Sequence, residues 1–332
     1  MKVCLYLELE SFMGVSGIGS ALVNQRKALE LNGVEYTSDL KDDFDIFHVN
    51  VVGLKSLIEV RMMKNAGKKV ILHAHVTADD FRDSYRFSNE IAPYLRRYLT
   101  FYYNQADLVL CPSEYTKNVL RGYGVTSNIA VISNGIDIDK FVYSRDKRAA
   151  FRKANSLEGA VSLNVGHLFI RKGLETFVNT ARSIDQNRFV WVGKRYKNLE
   201  DPRVKKLIEE APDNITFMVN RVDDIVAAYS GCDIFFFPSC CENQGIVLLE
   251  ASACKRPMLV RDTATYEGWL VDGVNCLKAS TDEEFRQKLK DLMEDESLCK
   301  ELGGNAYKMS RNHSLEIIGG KLKTIYEGLL RN

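Results

Sequence analysis

Net charge is almost absent from this 332-residue chain: 45 lysines and arginines meet 44 aspartates and glutamates, giving +1 and a sequence pI near 7.5. No global field therefore argues for a nucleic-acid partner or for strong adsorption to an anionic surface, and any membrane contact has to be local. No stretch of about 18 or more apolar residues occurs, which leaves no candidate membrane span. The chain opens directly into VCLYLEL without the pattern of a signal peptide. The expected location is cytoplasmic, with peripheral contact at the inner face of the cell membrane as its local form. Low-complexity tracts are absent as well, so function is not carried by disorder. The eight cysteines (Cys4, Cys111, Cys232, Cys240, Cys241, Cys254, Cys276, Cys299) lie mostly in apolar runs and form no Cys-x-x-Cys pair. That excludes the usual zinc and redox spacings and reads as buried thiols. Cys240 and Cys241 have no positioned base in view and are expected to pack or line, not to attack.

What is present is alternation. Strand-like runs (MKVCLYLEL, DIFHVNVV, KKVILHAHV, ADLVLCPS, NIAVISNG) take turns with amphipathic helical stretches, and a second set follows from AVSLNVG through RFVWVG, NITFMV, DIFFFPS and PMLVRD to NCL. This predicts α/β architecture with two doubly wound, Rossmann-like parallel sheets, and 45% hydrophobic content over this length supplies two cores. The charged stretch from Asp137 to Gly159 reads as the connector. The expected domains are 1–145 and 146–313, followed by a last helix over 314–332.

The most informative stretch is FFFPSCCENQGIVLLEASACKRPMLV, where Glu242 and Glu250 stand with seven residues between them. DIFFFPS reads as a buried strand, and the residues after Gln244 read as a helix ending before Pro257. One carboxylate thus falls in a strand-to-helix loop and the other about two turns into the helix. Asn243, Gln244, Gly245 and Ile246 then offer backbone N–H groups at the positive end of the helix dipole, a place for an anion. Acceptor oxygens for hydroxyls and N–H groups for phosphate suit a sugar nucleotide.

Other segments fall at strand ends, where ligands collect in open parallel sheets. GVSGIGS, containing Gly17 and Gly19, follows the first strand and lets backbone approach a ligand or simply makes a tight turn. Its GxxGxG spacing, and a second strand ending HVNVV with no acid for a ribose, disfavour a nicotinamide dinucleotide fold. His73 and His75 in KKVILHAHVTADDF share side-chain parity, but no third ligand follows at helical spacing, so metal ranks below sugar contact. Arg171 and Lys172 in VGHLFIRKGLETF stand just before a helix, suited to a departing diphosphate whose charge grows in the transition state.

These segments, together with ADLVLCPSEYTKNVL and VISNGID, occur in the order found in retaining glycosyltransferases of the GT-B fold, family four, and the chain resembles that family over most of its length. The resemblance implies two domains facing across a cleft, donor held mostly by the second, and a C-terminal helix that crosses back onto the first. It implies that His75 touches the transferred sugar, that Glu242 lies near the donor sugar's hydroxyls and that Glu250 accepts from the nucleotide ribose. It also implies retention without a protein nucleophile. The family commonly has a basic residue where this chain has His167, which leaves open whether His167 or Arg171 supplies that charge. Arg171 and Lys172 are expected to serve the diphosphate with no divalent metal.

The segment from HAHVTADDF to YYNQADLVL resembles bacterial glucosyltransferases that place glucose on diacylglycerol. The expected activity is hexose transfer, with UDP-glucose as donor, to a hydroxyl of a membrane lipid. A polysaccharide or soluble sugar acceptor is the first alternative, and a sugar-nucleotide-binding protein without turnover the second. Two amphipathic basic stretches, Leu54 to Lys69 and Tyr94 to Tyr103, are the candidates for an anionic membrane, with Lys64, Lys68 and Lys69 nominated as contacts.

Overall fold

A computed structural model describes residues 1–8, 17–220 and 224–331. Contacts divide the chain into two units: residues 1–81, 90–137 and 313 onward form the first, and residues 82–89 and 138–312 form the second. The boundary thus falls between Asp137 and Ile138, earlier than the expected 145, and residues 82–89 group with the second unit.

In the first unit β1 (Lys2–Tyr6), β2 (Glu35–Thr37), β3 (Ile46–Val49), β4 (Lys69–His73), β5 (Leu108–Cys111) and β6 (Ile129–Val131) form one parallel sheet in the order β2-β1-β3-β4-β5-β6. IFHV is buried at every position, the pattern of a strand covered on both faces. The register sets His48 beside Ile71 and His73 beside Leu110. The covering helices are α1 (Gly17–Leu31), α2 (Leu54–Asn65), α3 (Ala78–Phe81), α4 (Ser88–Tyr103) and α5 (Glu114–Tyr123). Ser113 caps α5, its hydroxyl accepting from Thr116 N at 3.1 Å, and Gly124 ends it at φ 95°.

Of the two amphipathic stretches nominated for an anionic membrane, the lysines of the first have acidic or strand partners. Lys64 pairs with Asp107 at 3.4 Å, Lys68 pairs with Asp43 at 3.0 Å, and Lys69 begins β4. Beside the exposed Lys55, Arg61 and Lys64, α2 also exposes an apolar row: Leu54, Ile58 and Met62, 75%, 59% and 57% exposed, repeat every fourth residue along one face. Arg61 lies over the Phe101 ring at 5.6 Å, joining this face to the exposed Ile91, Tyr94 and Phe101 of α4.

The second unit opens with a helix inside the expected connector, α6 (Arg145–Ala154). Its one buried apolar side chain, Phe151, packs at Gly231, where any Cβ would come within 2.3 Å of the ring. Arg148 caps the end of a neighbouring helix, donating to the carbonyls of Ser230, Gly231 and Cys232 at 3.0–3.2 Å. Strands β7 (Ala160–Val165), β8 (Asn187–Gly193), β9 (Ile215–Val219), β10 (Ile234–Phe237), β11 (Met258–Arg261) and β12 (Leu277–Ala279) form a parallel sheet in the order β12-β11-β10-β7-β8-β9. The order reverses between β7 and β10, so the crevice outside their carboxyl ends is the place for a ligand. Helices α7 (Leu174–Arg182), α8 (Pro202–Glu209), α9 (Ile225–Gly231), α10 (Ile246–Ala253), α11 (Asp282–Glu294) and α12 (Glu296–Arg311) complete the unit. The core centres on Phe177, edge-on to Trp191 at 5.0 Å and stacked on Phe236 at 5.6 Å.

The last helix, α13 (Leu315–Arg331), belongs to the first unit and lies along α1. Gly319 permits the approach: a Cβ there would sit 2.1 Å from the Ala28 carbonyl oxygen.

Candidate active site

At the carboxyl end of β10 the chain turns through Pro238 and Ser239–Gly245 before α10 begins. Gly245 holds φ at 81°, a left-handed conformation that a side chain would strain. Glu242 is buried and faces Lys172 in an ion pair, while Ser239 Oγ donates to the same carboxylate at 2.7 Å. Burial pushes the Glu242 pKa up, but the charges of Lys172 and Arg171 more than offset it, so the carboxyl stays below its usual value. The ion pair is set by the preceding turn, Ile170–Lys172, which ends at Gly173 with φ 78°. A Cβ on Gly173 would lie 2.2 Å from the Pro238 oxygen, so the two loops meet backbone to backbone. Cys240 N, donating to Arg171 O at 2.7 Å, ties them again. Cys240 itself is exposed, unlike the buried thiols expected; its main chain, not its sulfur, makes that contact.

Arg171 is committed elsewhere than expected. Its Nε donates to Ser84 Oγ at 2.7 Å and its Nη1 to Cys241 O at 3.1 Å, so it holds the loop and segment 82–89. His167, at the position where a basic residue is usual, is neutral at pH 7: burial, then Lys172, Arg171 and Lys194, lower its pKa to about 4. Lys194 is the cation that sequence reasoning missed. It follows Gly193 at the end of β8 as His167 follows Gly166 at the end of β7, and its ammonium lies over the Tyr196 ring at 4.9 Å. The repeated VGH and VGK was the available signal. The two glycines let the strand ends close up, since a Cβ on Gly193 would fall 1.8 Å from the Gly166 oxygen. Three cations around a neutral imidazole and one carboxylate make this strand edge electropositive.

Just over one turn into α10, Glu250 is buried and accepts from Tyr229 OH at 2.6 Å. Burial raises its pKa to about 7, against the lowering effect of the Tyr229 bond and of Lys140. Tyr229 on α9 carries no sequence motif and was not anticipated. Asn243 and Gln244 are buried in the loop, and Ile246 opens α10. The second unit therefore brings together Arg171, Lys172, Glu242, Asn243, Gln244, Gly245, Ile246 and Glu250.

His75, Gly17 and Gly19 belong to the first unit. Gly17 is the first residue of α1 and Gly19, two residues on, is buried; Gly14 to Ser16 of the glycine-rich stretch lie outside the described residues. His75 stacks on His73 with ring centroids 4.0 Å apart. Among the described residues no three His, Cys, Asp or Glu gather to hold a metal ion. The sequence contains two Asp-x-Asp triplets, at Asp43 and Asp137, and both aspartates are paired, with Lys68 and Lys27.

Comparison with known proteins shows the family of the chain. Residues 146–309 match the family model for glycosyl transferases group 1, and residues 26–140 match that for glycosyltransferase family 4. The chain is 37% identical over 338 residues to the processive diacylglycerol alpha-glucosyltransferase of Acholeplasma laidlawii, covering 100% of this chain and 99% of that one. It is 22% identical over 312 residues to the alpha-galactosylglucosyldiacylglycerol synthase of Streptococcus pneumoniae, covering 91% and 82%. Among solved structures, Anabaena HepE in complex with UDP and glucose aligns with a TM-score of 0.83 at 16% identity, covering 99% of this chain and 100% of that one. At that identity the likeness is one of fold.

Proposed function

The chain belongs to the group 1, family 4 glycosyltransferases of GT-B fold, and from that premise we propose that it moves glucose from UDP-glucose, with retention, to a hydroxyl of diacylglycerol or its glucosylated form. The observation that carries the donor side is the electropositive edge formed by Lys172, Lys194 and Arg171 at the ends of β7 and β8, beside the N–H groups that open α10. The diphosphate of the donor fits there, with its ribose hydroxyls toward Glu250 and its sugar toward Glu242; by the family resemblance His75, in the first unit, is a further contact of the transferred sugar. The acceptor hydroxyl attacks the anomeric carbon on the face from which the phosphate oxygen departs. The bond from that carbon to the phosphate oxygen breaks, the glycosidic bond forms, and the hydroxyl proton passes to the departing phosphate. Lys172 and Lys194 stabilise the charge that grows on the leaving UDP, so no divalent metal is needed in this reading. Arg171 adds to the positive potential while holding the loop that carries Glu242.

The lipid acceptor is supported by the full-length relative, a diacylglycerol glucosyltransferase by name, and by its alpha product, which from an α-linked donor means retention. It is supported also by the exposed apolar face of α2 and α4, with Arg61 lying against Phe101, which suits shallow insertion into a bilayer. No helix among the described residues is long and apolar enough to cross a membrane. The test is incubation of the purified chain with labelled UDP-glucose and diacylglycerol in anionic mixed micelles, followed by NMR of the anomeric proton of the product. An α-glucolipid supports the proposal. Transfer only to soluble sugars would move the acceptor assignment, and neither transfer nor donor hydrolysis would leave a binding protein.

A further inference from the structure

Under His75 the first unit buries a polar network that uses no charged residue. Asn50 Nδ2 donates to Gln25 Oε1 at 2.9 Å, and Gln25 Nε2 donates to the His48 ring, 3.1 Å from Nδ1 and 3.3 Å from Nε2. His48 Nδ1 is 2.8 Å from Tyr326 OH on α13, and its Nε2 is 3.3 Å from His73 Nδ1. His73 stacks on His75 at an interplanar angle of 14°, and His75 Nε2 closes the circuit 3.1 Å from Asn50 Oδ1. Gln25, His48, Asn50, His73 and Tyr326 are all at most 6% exposed. Buried polar groups are costly unless satisfied, so the hydrogen bonds named here constrain the arrangement, although His73 Nε2 finds no partner among the described residues.

Its hydrogen bonds have a direction. With the Gln25 amide nitrogen assigned toward His48 and its oxygen toward Asn50, Asn50 offers nitrogen to Gln25 and oxygen to His75. An amide oxygen only accepts, so His75 Nε2 carries the proton and Nδ1 carries the lone pair. We infer that Gln25 and Asn50, backed by His48 and Tyr326, are positioning residues that lock His75 as the Nε2–H tautomer, presenting Nδ1 as an acceptor for a donor-sugar hydroxyl. The inference rests on the reading of His75 as a sugar contact.

Proton uptake would turn Nδ1 into a donor and abolish this recognition. Burial lowers the His75 pKa to about 4, which keeps the ring neutral at working pH. The titratable groups facing it are His73 and His48, themselves kept neutral by burial first and neighbouring histidines second, and the Tyr326 phenol behind them; among the described residues no acid or base of another kind contributes to its shift.

Two measurements test the inference. Long-range proton–nitrogen spectra of the full chain labelled with 15N-histidine, with His75 assigned by a His75→Gln variant, should give the Nε2–H pattern at neutral pH. An Nδ1–H pattern or a tautomer mixture overturns the inference, and this reading needs no other variant to fold. Asn50→Asp places a carboxylate beside the His75 N–H, which raises the His75 pKa by about one to three units. In the same spectra of the ligand-free chain, the His75 titration profile of that variant should have its midpoint between about pH 5 and 7, where the parent's stays near 4. An Asn50→Asp profile parallel to the parent's overturns the positioning role while His75→Ala remains inactive. Full activity in His75→Ala instead removes His75 from the reaction, and the spectrum then reports on packing alone.

Discussion

With Glu250 as the proposed acceptor for the donor ribose, donor binding should depend on pH in a predictable way. Its carboxyl is buried, its pKa is raised to about 7, and its partner Tyr229 OH at 2.6 Å occupies Oε2. A ribose hydroxyl that donates to the ionised carboxylate selects that form, so binding must displace the proton from the half of the molecules that carry it at pH 7. The sign follows: affinity for UDP-glucose falls as pH falls through the free-state pKa. The apparent Kd is about twofold above its limit at pH 7 and about elevenfold above it at pH 6, then rises about tenfold per unit. UDP-glucose is the right ligand because its diphosphate is doubly esterified and does not titrate in this window. His167, at about 4, lies below it too. Calorimetry in buffers of different ionisation enthalpy should report release of about half a proton per site at pH 7. Glu250→Gln keeps the shape and loses the charge, so binding should be pH-independent and about 10-fold to 100-fold weaker at pH 8, the value of one charge-assisted hydrogen bond. Affinity that is flat with pH in the parent, or equally pH-dependent in Glu250→Gln, refutes the reasoning.

Lys172→Met should lower kcat by about 100-fold to 1,000-fold with a smaller effect on KM, as expected for a cation aimed at charge that develops late; because it also strands Glu242, the double variant with Glu242→Gln separates the two effects by a mutant cycle, and a change confined to KM would assign Lys172 to ground-state binding. Gly173→Ala, at φ 78° and with its Cβ aimed at Pro238 O, should cost about 1–3 kcal/mol in urea unfolding, and an unchanged midpoint would show that the turn relaxes freely. Activity should survive excess chelator, since Lys172 and Lys194 provide the charge; strict restoration by magnesium or manganese alone would overturn that assignment. Leu54→Ser, Ile58→Ser and Met62→Ser together remove three apolar side chains worth about 1.5–3 kcal/mol each if fully inserted, so binding to anionic vesicles containing diacylglycerol should drop at least about tenfold, whereas Lys64→Glu with Lys68→Glu should do less; the opposite ranking would restore the lysine surface.

The parts of this molecule legible in its sequence are those encoded within one strand–turn–helix. IFFF followed by Pro238, and IVLLEASA after Gly245, carry their own period and punctuation, so Glu242 and Glu250 were placed correctly on a loop and a helix. The helix α6 was not legible because RDKRAAFRKA buries a single apolar side chain, Phe151, and its arginines serve carbonyls on another helix. Segment 82–89 was read with the first domain for the same reason: its place in the second unit rests on Ser84 with Arg171, Tyr85 against Phe169 and Tyr196, and Asp83 with Arg203, contacts that no local pattern announces.

The partners of the functional residues were hidden for a related reason, and they change the chemistry more than the fold does. Sheet order decides them: β7 lies between β10 and β8, which carries His167, Lys172, Lys194 and Glu242 from three distant segments to one edge. Without that order Arg171 and Lys172 read as an equivalent pair; with it, one cation is spent on Ser84 and Cys241 and the other faces Glu242. His73 and His75 likewise showed their shared parity in sequence, but the direction of the hydrogen bonds that sets the His75 proton comes from Gln25 on α1, Asn50 after β3 and Tyr326 on α13. A motif therefore names the group that meets the substrate, and the non-local shell behind it decides the protonation state in which that group arrives.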